Sequence, residues 1–91
     1  MSLQARFEQF HRDNPGVYRL LVKLTRDLRN RGHLTVSIKM VYEVARWEHY
    51  MTTTDPQFKL NNSFTSRYAR LLMEQEADLK GIFDTRRLGD A

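Results

Sequence analysis

Histidine, carboxylate and hydroxyl groups are the reactive side chains of this chain, because cysteine is absent from its 91 residues. The lack of cysteine removes disulfides, thiolate metal sites and thiol nucleophiles together. His11, His33 and His49 lie 22 and 16 residues apart. Helical metal sites need ligands one turn apart, as in H-x-x-x-H or H-E-x-x-H. Neither spacing occurs here, so the histidines are expected to pack or to face solvent, with no metal. Glu43 and Glu48 are five residues apart, which on a helix sets them on different sides and gives no acid and base pair. The hydroxyls of Ser37, Thr52, Thr53, Thr54, Ser63, Thr65 and Ser66 lie in no G-x-S-x-G elbow. The glycines, at 16, 32, 81 and 89, form no phosphate-cradling loop. A non-enzyme without catalytic residues or cofactor is the expectation.

The chemistry that remains is basic and helical. The formal charge is +4, and it is unevenly placed: Arg19 to Arg31 is one basic stretch, and Lys59 to Arg70 carries no acid at all. A local positive potential attracts phosphate more than net charge does. In "FKLNNSFTSRYARLLMEQ", Arg67 and Arg70 lie three apart and project from one face of a helix over residues 63–76, opposite Phe64, Tyr68, Leu71 and Leu72. Amide and hydroxyl side chains at the helix start suit phosphate, and arginines one turn on suit base edges. This predicts a duplex-DNA surface of Asn62, Ser63, Ser66, Arg67 and Arg70, with Lys59, Arg86 and Arg87 as supporting phosphate contacts. The plain counter-reading is an amphipathic helix with a solvated basic side. Arg19, Lys23 and Arg26 are expected to be solvated charges.

The elements that would position this surface follow from periodicity and punctuation. Leu3, Phe7 and Phe10 mark a first helix. Asn14 as N-cap and Pro15 as first helical residue open a second, with Val17, Leu20, Leu21, Leu24 and Leu28 on its apolar side and Gly32 as its stop. His33 to Val36 is an extended connector. Ser37 caps a third helix that is apolar on two sides: Ile38, Val41, Tyr42, Ala45 and His49 on one, Met40, Val44, Trp47 and Met51 on the other. Such a helix is expected to be central. Met51 to Pro56 is a break, and Asn61, Asn62 and Ser63 are the cap candidates of the fourth helix. Ala77 to Gly81 is a short helical turn, and Ile82 to Leu88 alternates like a terminal strand. The aromatics, Trp47 included, mostly fall on apolar stripes and are expected in the core. The fold class is therefore mainly α: one small domain of four to five helices with short strands, of helix-turn-helix or winged-helix type. Residues 82–88 would supply the wing, and 86–91 are expected to fray. The long loop from Met51 to Asn61 departs from a tight helix-turn-helix connection.

A second function class rests on the third helix, which holds more apolar surface than one small core hides. An exposed remainder would mark a protein interface, with Met40, Trp47 and Met51 as anchors. Self-association into a homodimer is compatible with either class. Apolar runs are only a few residues long, so no membrane partner is expected and the chain reads as soluble and cytoplasmic.

The segments "FEQFHRDNPGVY", "KMVYEVARWE" and "FKLNNSFTSRYARLLMEQ" resemble a set of small uncharacterised bacteriophage and prophage proteins, over nearly the whole chain. The resemblance implies a phage-encoded intracellular factor of the bacterial host cell. It implies a choice between binding DNA and binding a host protein, and it assigns no residue a role. Met1-Ser2-Leu3 resembles a vector-derived start.

Overall fold

The computed structural model describes residues 2–52 and 60–83. They form four helices, α1 (Leu3–Asp13), α2 (Pro15–Asn30), α3 (Ile38–Thr52) and α4 (Thr65–Gln75). One 3-10 turn, Asn62–Phe64, leads into α4, and another, Ala77–Leu79, follows it. No strand occurs among the described residues. The expected extended connector and terminal strand instead meet in a single parallel bridge between Val36 and Phe83, where the Val36 N–H donates to the Ile82 carbonyl at 2.9 Å. Residues 84–88 of the expected strand lie outside the described residues, as do Lys59, Arg86 and Arg87.

Local signals explain where the helices begin and end. The Ser2 side chain accepts from the Ala5 N–H at 3.1 Å and so caps α1. Asn14 departs from its expected part: its side-chain amide donates to the Phe10 carbonyl at 3.0 Å, and its backbone N–H donates to the same oxygen at 2.9 Å. As the single residue between α1 and α2, it holds the N-cap position of the second helix, where its carbonyl accepts from the Val17 N–H at 3.1 Å, but its side chain closes the first, and α2 opens on Pro15 without a side-chain cap bond. At the far end of α2, Gly32 adopts φ 102°, a conformation that favours glycine. The Gly32 N–H bonds Arg29 O at 3.0 Å and the His33 N–H bonds Leu28 O at 3.2 Å, the paired bonds of a Schellman stop. Ser37 Oγ accepts from the Met40 N–H at 3.3 Å and starts α3. Of the three cap candidates near residue 62, Asn61 caps the 3-10 turn before α4, with Oδ1 accepting from the Ser63 N–H at 2.9 Å, whereas α4 itself opens after Phe64 without a side-chain cap.

The core lies between α2, α3 and α4, and Leu21, Val41, Tyr42, Tyr68, Leu72 and Leu79 are fully buried in it. Phe7 brings α1 onto this core through edge contacts with Tyr68, at 4.8 Å between ring centroids, and with Phe64, at 5.7 Å. Thr25 is also fully buried; its hydroxyl donates to the Leu21 carbonyl at 2.8 Å, which removes the cost of an unpaired buried group. The Tyr42 hydroxyl reaches across to the Asn61 carbonyl at 2.5 Å and ties α3 to the approach of α4.

The expectation that α3 is the central helix is corrected. Its Ile38, Val41, Tyr42 and Ala45 side is buried, while its Met40, Val44, Trp47 and Met51 side faces solvent. The helix packed on more than one side is α4, where Ser66, Tyr68, Ala69 and Leu72 are all buried. Small residues at 66 and 69 let neighbouring elements come close, whereas the large Trp47 and the two methionines of α3 meet no covering element among the described residues.

Candidate functional site

The residues expected to touch DNA divide into two groups. Asn62, Ser63 and Arg70 are exposed. Ser66, expected outside, is 8% exposed, because α4 carries neighbours on that side as well. Arg67 is partly buried against α1: its Nε donates to Gln4 Oε1 at 2.9 Å, and one of its terminal nitrogens is buried without a hydrogen-bond partner. Asn62 Oδ1 accepts from the Arg46 guanidinium. Ser63 Oγ donates to Asn61 Oδ1 at 2.8 Å. The turn that leads into α4 is therefore largely engaged in its own capping and in holding α3.

Arg46 makes that connection. Its guanidinium donates to the Leu60 carbonyl at 3.0 Å, to Asn62 and to Glu43, and lies 5.5 Å from the centre of the Tyr42 ring. Arg26, expected to be a solvated charge, is a second clamp. Its Nε donates to Asp78 at 2.8 Å, and one terminal nitrogen donates to Asp78 at 2.9 Å and to Glu76 at 3.1 Å. The Tyr18 hydroxyl adds a bond to Glu76 at 2.9 Å. These bonds fasten α2 to the segment after α4. The hydrogen bonds from Arg26 hold the Asp78 carboxyl below its ordinary pKa, and burial, followed by the Glu76 contact, raises that of Tyr18.

His11 sits in an aromatic setting, with ring centroids at 5.2 Å from Tyr18, 6.0 Å from Tyr68 and 6.1 Å from Phe7. Its Nδ1 is buried and has no hydrogen-bond partner, and burial lowers its pKa. The unfolded chain therefore takes up this proton more readily than the folded one, so stability is lost as pH falls below the ordinary histidine pKa of about 6.5. His11→Phe is expected to flatten the fall in thermal midpoint between about pH 7.5 and pH 5.5. An unchanged slope would place the proton-linked loss elsewhere. Among the described residues, no three His, Asp or Glu side chains gather closely enough to hold a metal ion. No helix among them is long and apolar enough to cross a membrane.

No protein family, curated protein or solved structure matches this chain.

Its distinctive surface is the outer side of α3. Trp47 is 63% exposed, Met51 64%, Met40 48% and Val44 41%. At 3.6 residues per turn these four positions fall within about 60° of arc, in one continuous stripe. Tyr50, 75% exposed, borders it. Glu43 and Glu48 stand on its two flanks and are also exposed. The apolar area of such a stripe is on the order of 500 Å², comparable to the largest patch a soluble monomer normally shows. The second stripe of α3 was visible in the sequence; what sequence could not show was which of the two stripes the fold covers.

Proposed function

We propose that this chain is a non-enzymatic protein-interaction module, with the outer face of α3 as its docking surface and Met40, Trp47 and Met51 as anchors. A single observation carries the reading: the chain's only tryptophan stands in solvent at the centre of a contiguous apolar stripe. Leaving a large aromatic in water forgoes stabilisation that a buried position would provide. Tryptophan and methionine are also the side chains in which interface cores are enriched.

The observations favour this reading over duplex-DNA recognition. Two of the five side chains meant for a groove, Ser66 and Arg67, are buried or partly buried, and a buried serine cannot meet a phosphate. The test compares Trp47→Glu with the Arg67→Ala, Arg70→Ala double variant. Association with protein, read by sedimentation and cross-linking, should disappear in the first and persist in the second. Protein association that ignores Trp47→Glu, together with duplex-DNA affinity lost in the double variant, would overturn the reading.

A further inference from the structure

We infer that the occupant of the α3 face is a second copy of this chain, docked antiparallel about a two-fold axis. The inference rests on the reading of that face as a docking surface and specifies its partner. Its first support is the spacing. Met40, Val44, Trp47 and Met51 are separated by four, three and four residues, which is the d-a-d-a alternation of a coiled-coil seam about three turns long. That spacing is the same read in either direction. An antiparallel pairing therefore brings Met40 opposite Met51 of the other copy, and Val44 opposite its Trp47.

The residue sizes suit that arrangement. The smallest member of the stripe meets the largest, and two flexible methionines meet each other at both ends, so the layers have matched volumes without overpacking. A parallel pairing would instead stack Trp47 on Trp47 and leave Val44 beside Val44, with excess volume in one layer and a gap in the next. Antiparallel pairing is also isologous, the self-complementary contact that closes as a dimer and leaves no unused copy of the patch.

The flanks agree. In an antiparallel pair, residues on one side of the seam meet residues on the same side of the other copy. Glu43 therefore comes beside Tyr50, whose hydroxyl can donate to a carboxylate, and the two glutamates of the face are not set directly opposite each other. Area is sufficient as well. Two stripes of about 500 Å² remove on the order of 1,000 Å² from water, the size at which a specific interface begins, and the flanking residues add to it.

The absence of cysteine gives a clean test of both partner and direction. Met40→Cys and Met51→Cys are made as separate single variants at exposed positions of α3, mixed in equal amounts and oxidised mildly. In the antiparallel dimer, position 40 faces position 51, while two copies of position 40 lie about 16 Å apart along the helices, too far for a disulfide. A covalent dimer should form in the mixture and in neither variant alone, and the parent chain should sediment as a dimer that dissociates on dilution. Covalent dimers in each variant alone would replace the antiparallel arrangement with a parallel one. No covalent dimer in the mixture, with the parent sedimenting as a monomer throughout, would overturn the second-copy assignment. The docking surface itself then stands or falls separately. It stands if Trp47→Glu removes binding to a different protein, and it fails if that substitution changes no association.

Discussion

Trp47→Glu is expected to abolish association through α3 while leaving the helical fold intact. The two halves of this result have different causes. Trp47 is mostly exposed and belongs to the side of α3 away from the core, so the folded monomer loses little packing. Surface substitutions of this kind change stability by within about 0.5 kcal/mol. In the complex, the indole would lie at the centre of the contact. Truncating a central tryptophan anchor typically costs at least about 2 kcal/mol. Glutamate adds the cost of desolvating an unpaired carboxylate. Affinity should therefore weaken by roughly 30-fold or more, which moves a micromolar complex out of the accessible concentration range. Sedimentation velocity over a dilution series reads the association, and circular dichroism on the same samples reads the fold. Retained association with an intact fold would contradict the assignment of Trp47 as an anchor.

The second large effect is expected in the core. Leu72 of α4 has no exposed surface, and it lies among the helices that carry most of the buried apolar area. Leu72→Ala removes three carbons and leaves a cavity that closely packed neighbours fill only in part. Changes of this type cost about 2–5 kcal/mol. Small domains are stable by about 5–15 kcal/mol in all, so this one substitution removes a large share of the total. Urea denaturation should show a clearly lower midpoint, whereas Leu34→Ala, at a position 91% exposed, should move it by less than about 0.5 kcal/mol. Equal effects at the two positions would contradict the placement of the core.

The contrast between Leu72 and Leu34 also indicates how much of the molecule was legible in the sequence. Helix order, the Gly32 stop, the Ser37 cap and the buried residues Val17, Leu21, Phe64, Tyr68 and Leu72 follow from local chemistry, namely 3.6-residue periodicity and capping side chains. Three matters did not follow, and each depends on tertiary placement. Asn14 is a good helix cap in isolation and holds the N-cap position of α2, but with only one residue between α1 and α2 its side chain serves the helix that ends there. Ser66 is polar and one turn from exposed residues, yet it is buried because α4 is enclosed on more than one side. Both stripes of α3 are apolar, so periodicity places them opposite one another without saying which is covered. The candidate site lay in that ambiguity. An expectation of a buried Trp47 and an expectation of an interfacial Trp47 used the same residues, and only the exposure of that side separates them. Arg26 is a related case. In sequence it is one basic residue in a solvated stretch, whereas in the fold it joins α2 to Glu76 and Asp78, some fifty residues away.

The most direct measurement is site-specific photo-cross-linking. A photoreactive residue is placed at Val44 or Met51 on the α3 face, or at the exposed Arg12 of α1 as the comparison, and the chain is irradiated at working concentration inside a bacterial cell. If α3 carries the docking surface, protein adducts form from positions 44 and 51 and not from position 12, and a second copy of this chain is the main adduct. Adducts that form equally from all three positions, or from none, would contradict it.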